Sequence, residues 1–120
     1  MDRPRLLVID DDFYTRLALA NLFGRRGWQV GLASTVAEGL SSLDTEPRCI
    51  ILDLNLPDGG GESVLREVRR RLPGTLVAVC SGSTNLLQLA EVRSLHPDLL
   101  LCKPVDLAPI ERLCDSAIAG

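Results

Sequence analysis

The run Leu6-Leu7-Val8-Ile9, closed by Asp10-Asp11-Asp12, is the stretch from which the architecture can be read. Apolar residues without polar alternation suit a strand covered on both faces, and the acids behind them mark its end. The pattern returns at Val30 to Ala33, Ile50 to Leu54, Leu76 to Cys80 and Leu99 to Cys102. Between these runs the apolar spacing is helical: Leu19, Leu22 and Phe23; Val36, Ala37 and Leu40; Val64, Leu65, Val68 and Leu72; Leu86, Leu89 and Ala90; Ile110, Leu113 and Ala117. Asp12 stands where an N-cap to Phe13 belongs, Thr35 and Glu38 have capping-box spacing, and Gly24, Gly27 and Pro73-Gly74 fall where helices stop.

Five strand-helix pairs in succession predict an α/β fold. Right-handed crossovers between parallel strands put helices on both faces of one sheet. The expected form is a single doubly wound (βα)5 domain of flavodoxin-like type, with a parallel five-stranded sheet of order 2-1-3-4-5. With 120 residues and 46% hydrophobic content, one domain spanning residues 1–120 accounts for the chain.

Composition narrows the function. No apolar run approaches the ~20 residues of a membrane span, and Met1-Asp2-Arg3-Pro4 lacks a signal-peptide layout, so a cytoplasmic protein without membrane attachment is expected. A net charge of −3 gives no basic footprint for direct nucleic-acid binding, and Arg66, Arg69, Arg70 and Arg71 read as a solvated helix face. Cys49, Cys80, Cys102 and Cys114 lack the close pairs of zinc sites and read as buried reduced thiols. The one histidine, His96, has no nucleophile to serve.

Open sheets of this kind bind ligands beyond the carboxyl ends of their strands. There the sequence puts Asp10-Asp11-Asp12 after the first run, Asp53 after the third, Ser81-Gly82 after the fourth and Lys103-Pro104 after the fifth; the second ends in Ser34-Thr35. Taken singly, these are caps, turn residues or solvated charges; their joint placement is the signal. With the first and third strands adjacent, Asp10, Asp11 and Asp53 converge, and two like charges ~4 Å apart repel by about 4 kcal/mol at an effective dielectric of ~20. The cluster calls for a cation, and an all-oxygen donor set suits Mg²⁺ or Mn²⁺. Lys103 and Ser81 can then receive oxygens of a phosphoryl group, and Asp53, alone on its strand, is the free carboxylate that attacks.

These residues closely resemble the receiver domain of bacterial two-component response regulators along essentially the whole chain. The matching stretches are Leu7-Val8-Ile9-Asp10-Asp11 with Arg16, Ile51 to Gly59 around Asp53, Ser81-Gly82, and Leu101-Cys102-Lys103-Pro104. The resemblance implies a signalling phosphoacceptor rather than an enzyme, with Asp53 taking its phosphoryl group from a phosphohistidine on a sensor histidine kinase or phosphotransfer protein. It implies Asp11 as the main metal ligand, Asp10 acting through water, the backbone carbonyl of Asn55 completing the protein ligands, and a cis Lys103-Pro104 bond. It further implies a readout through the fourth helix, fifth strand and fifth helix, a face also used for homodimers, toward a fused or separate effector. The resemblance implies Ser81 and residue 100 as the switch positions, but Leu100 stands where receivers usually carry Tyr or Phe. A partial population shift is expected, since a move from about 1:99 to 99:1 takes ~5.5 kcal/mol and Lys103 already has Asp53 to pair with. Gly59-Gly60-Gly61 is expected to leave the following loop pliant.

Two other readings compete: a haloacid-dehalogenase-like phosphatase using Asp10 of the D-x-D in Asp10-Asp11-Asp12, and a receiver-like interaction module that is never phosphorylated.

Overall fold

A computed structural model describes residues 3–119; residues 1, 2 and 120 of the expected domain lie outside it. The elements are β1 (Arg5–Ile9), α1 (Phe13–Arg25), β2 (Gln29–Ala33), α2 (Val36–Ser42) with a 3₁₀ turn (Leu43–Thr45), β3 (Cys49–Asp53), β4 (Asn55–Leu56), β5 (Gly59–Gly60), α3 (Glu62–Arg71), β6 (Leu76–Ser81), α4 (Leu86–Ser94), β7 (Leu99–Cys102) and α5 (Leu107–Ala119). The main sheet is parallel in the order β2-β1-β3-β6-β7. This is the expected 2-1-3-4-5 arrangement, with one antiparallel hairpin, β4-β5, added after the third strand.

The unbroken apolar runs have a simple cause. Successive strand residues point to opposite faces, and both faces are covered. Leu7, Ile9, Ile50, Leu52, Val77 and Val79 enter one core layer with Val64, Leu65 and Val68 of α3 and Val92 of α4. Leu6, Val8, Cys49, Ile51, Ala78 and Cys80 enter the other with Leu19 and Phe23 of α1 and Ile110 and Cys114 of α5. Each fully buried Val, Leu or Ile contributes about 1.5–3 kcal/mol. The edge strand β2 departs from the two-sided expectation, because it has one neighbour and Leu32 is 46% exposed.

Helix ends follow local chemistry, with three corrections. Asp12 caps α1 by accepting from the Thr15 backbone N–H, but Gly24 lies inside α1, and Gly27, at φ 95°, makes the turn that follows it. Thr35 caps α2 through the Glu38 N–H, whereas the Glu38 carboxylate reaches Ser34 N and Oγ in place of the Thr35 amide. Gly59 and Gly60 form a paired strand opposite Leu56 and Asn55 rather than an open loop, held at its turn by Asp58, whose carboxylate accepts from Val36 N (2.7 Å) and Ala37 N (3.1 Å) of α2.

The arginines of α3 are all engaged by carboxylates: Arg66 with Glu91, Arg69 with Asp98, Arg70 with Glu67 and Arg71 with Asp44. Arg69 is more than a solvated residue, since its guanidinium also donates to the carbonyls of Thr75, Leu95 and His96 and ties α3 to the turn before β7. Cys49, Cys80 and Cys114 are buried as expected; Cys102, last on the edge strand β7, is exposed. At the opposite end of the sheet from Asp53, Arg48 N donates to Arg5 O (2.9 Å), and the Arg48 guanidinium donates to Ala117 O (3.2 Å). No helix among the described residues is long and apolar enough to cross a membrane.

Candidate functional site

The parallel register brings the carboxyl ends of β1, β3, β6 and β7 together. Asp53 ends β3 beside Cys80, and Ser81 ends β6 beside Cys102, so Lys103 begins one residue beyond. The Lys103 backbone N–H donates to Ser81 O (2.9 Å), and the peptide to Pro104 is cis as expected. From there Lys103 Nζ lies 3.2 Å from Asp53 Oδ2 and 3.6 Å from Asp10 Oδ2.

Both acids are buried, at 5% exposure for Asp10 and 4% for Asp53, while Asp11 is exposed. Ligand oxygens of the three carboxylates lie within 4.8 Å of one another. Asp10 is held from three sides: Oδ1 accepts from Asp12 N, its carbonyl accepts from Arg16 Nη1, and Oδ2 faces Lys103. Asp53 Oδ1 accepts from Asn55 N at 3.2 Å. Burial raises the Asp10 pKa, with the Asp12 amide and Lys103 opposing it. Burial works against the charged form of Lys103, but Asp10 and Asp53 outweigh it and raise the pKa of the ammonium.

Three carboxylates against one ammonium leave the cluster short of positive charge. Its donors are oxygens, without nitrogen or sulfur, the chemistry of a hard divalent cation. Ser81 is buried, and its Oγ accepts from Ser83 N (2.8 Å). The structure thus brings together Asp10, Asp11, Asp53, Asn55, Ser81 and Lys103. Leu100 stands apart, half-buried against the α2–α4 core layer and lining a hollow with Arg93, His96 and Pro97.

Two features escaped the sequence reading. Ser83 Oγ donates to Gln88 Oε1 (2.8 Å), and Gln88 Nε2 donates to Glu62 Oε2 (2.9 Å) and Leu54 O (3.4 Å), a polar chain from Ser81 to α3. Around the mouth, Phe13, Tyr14 and Leu17 on α1 and Leu86 and Leu87 on α4 are exposed. Adjacent large apolar residues at helix starts, Phe13-Tyr14 and Leu86-Leu87, were the available signal for the second; nothing local marks the first.

Comparison with known proteins agrees with this geometry. A family model for the response regulator receiver domain matches residues 6–115. Acid tolerance regulatory protein ActR of Rhizobium meliloti is 34% identical over 102 residues, which is 84% of this chain and 53% of ActR. The chain therefore spans about half the length of that relative. A CheY-like receiver domain from Methanospirillum hungatei superimposes with a TM-score of 0.88 at 23% identity, covering 98% of this chain and 96% of the other. A Burkholderia pseudomallei response regulator, solved with a phosphorylated aspartic acid, a calcium ion and citrate, gives 0.80 at 24% identity, covering 98% and 75%. Neither the phosphatase reading based on Asp10 nor the unphosphorylated-module reading is favoured by these relatives. Sequence motif, strand order and the acidic pocket converge, and the chain belongs to the response regulator receiver domain family.

Proposed function

We propose that Asp53 accepts a phosphoryl group from a phosphohistidine of a sensor histidine kinase or phosphotransfer protein. One observation carries the reading: a buried carboxylate at the end of the central strand, with an ammonium 3.2 Å from one oxygen and two further carboxylates within 4.8 Å. An Asp53 oxygen attacks phosphorus, the P–N bond of the donor breaks, and the histidine nitrogen keeps the electron pair and takes up a proton. Asp10, Asp11, Asp53 and the Asn55 carbonyl would hold Mg²⁺, or Mn²⁺ in its place, which when bound offsets the charge of the phosphoryl oxygens. Lys103 takes one phosphoryl oxygen, and Ser81, turning from Ser83 N, donates to another.

The apolar rim of α1 and α4 supplies a surface for the donor protein. With Leu100 in place of a ring, the Ser81-Ser83-Gln88 chain carries the response to α3 and α4, and the α4-β7-α5 face passes it to a fused or separate effector or to a second copy.

The test is acetyl phosphate with Mg²⁺, read by intact mass and peptide mapping. One phosphoryl group should appear on Asp53 and be absent from Asp53→Asn. Label on Asp10, or unchanged labelling of the variant, would sink the reading.

A further inference from the structure

Phosphoryl transfer uses none of the cysteines, yet two of them meet at the other end of β3. Cys49 opens that strand, Cys114 lies on α5, and their Sγ atoms are 3.6 Å apart in a hydrogen bond. Both belong to the core layer beneath α1 and α5, with exposures of 0% and 1%, and both are free thiols. A disulfide needs its sulfurs ~2.05 Å apart, so the two must approach by about 1.6 Å.

An open surface hollow of about 430 Å³, lined by Arg48, Gly74, Leu76 and Ala117, lies near residues that flank the pair. Arg48 precedes Cys49, Leu76 is its register partner on β6, and Ala117 is one turn beyond Cys114. Neither sulfur lines that hollow, so peroxide reaches the pair when the end of α5 moves aside. The two thiols are also unequal. The hydrogen bond shared between the two sulfurs lowers the Cys114 pKa against the effect of burial, whereas that same bond and burial raise the Cys49 pKa. Cys80, pushed up to about 11 by burial, has no such support.

We propose that Cys49 and Cys114 form a peroxide-responsive dithiol that closes into an intramolecular disulfide and fastens α5 to the central strand. The Cys114 thiolate attacks one oxygen of hydrogen peroxide; the O–O bond breaks, leaving a sulfenic acid and a hydroxide that takes up the Cys114 proton as water. Cys49 then attacks that sulfur, the S–S bond forms, and the S–O bond breaks, the hydroxide leaving as water with the Cys49 proton. Two thiols and one peroxide give one disulfide and two waters. The proposal stands on the sulfur geometry and does not depend on the role of Asp53.

Hydrogen peroxide is added to the reduced chain, free thiols are alkylated under denaturing conditions, and an unreduced digest is mapped by mass spectrometry. The expected result is a monomer lighter by two hydrogens, a peptide linking Cys49 to Cys114, and reversal by dithiothreitol. Closing a loop across 65 residues should raise Tm by ~10 °C. Cys102→Ser, which removes only the exposed thiol, should respond fully. Alkylation of both Cys49 and Cys114 after peroxide, oxidation confined to Cys102, or a link formed only in denaturant would overturn the proposal.

Discussion

Replacing Gly61 by alanine should disturb Asp53 through the backbone alone. Gly61 has φ −64° and ψ −18°, ordinary helical values, so the substitution adds no dihedral strain. The added Cβ would stand 2.3 Å from the carbonyl oxygen of Asp53 and 3.1 Å from Leu54 Cα, both backbone atoms. Reaching even 3.0 Å from that oxygen requires an opening of about 0.7 Å. Gly61 N donates to Leu54 O at 2.8 Å, so this hydrogen bond resists separation of the two segments. Overpacking of this kind costs about 1–3 kcal/mol, and a displacement approaching 1 Å at a reacting group lowers rates by roughly 10- to 100-fold. Urea unfolding measures the first quantity, and the rate of Asp53 phosphorylation by acetyl phosphate with Mg²⁺ the second. Gly74→Ala is the control, since its Cβ meets nothing within 4 Å. A Gly61→Ala protein with the wild-type unfolding midpoint and phosphorylation rate would refute the reasoning.

Gly24→Ala should have the opposite sign. The residue lies in α1, its Cβ meets nothing within 4 Å, and exchanging glycine for alanine in a helix gains about 0.5–1 kcal/mol, visible as a higher Tm. Lys103→Met should destabilise the metal-free domain and make its Tm rise more on adding Mg²⁺ than the wild type does. At 3.2 Å the Lys103–Asp53 attraction is about 5 kcal/mol at an effective dielectric of ~20, and solvent screening of the partly exposed lysine reduces it to about 1–2 kcal/mol. Equal Mg²⁺ responses in the two proteins would count against the cation sharing that cluster.

What could be read from the sequence is what is encoded locally. Runs such as Leu6 to Ile9 located each strand to within about a residue, and parallel order then gathered Asp10, Asp53, Ser81 and Lys103 at one end. The remainder depends on partners far along the chain. Asp58 caps α2 from 21 and 22 residues beyond its donors, and Arg69 reaches carbonyls 26 and 27 residues on. The β4-β5 hairpin has two residues per strand, too short for any periodicity. Cys102 has the apolar neighbours of a core thiol, and only its place at the end of an edge strand leaves it exposed.

The backbone carbonyls of Arg5 and Ala117, both bound by Arg48, lie at the end of the fold remote from Asp53. For a biosensor this is the convenient arrangement: a fluorophore, an affinity matrix or a genetically joined partner attached near either end departs from the far side. The domain could be tethered by both ends, or spliced between two other modules, with the mouth above Asp53 still open.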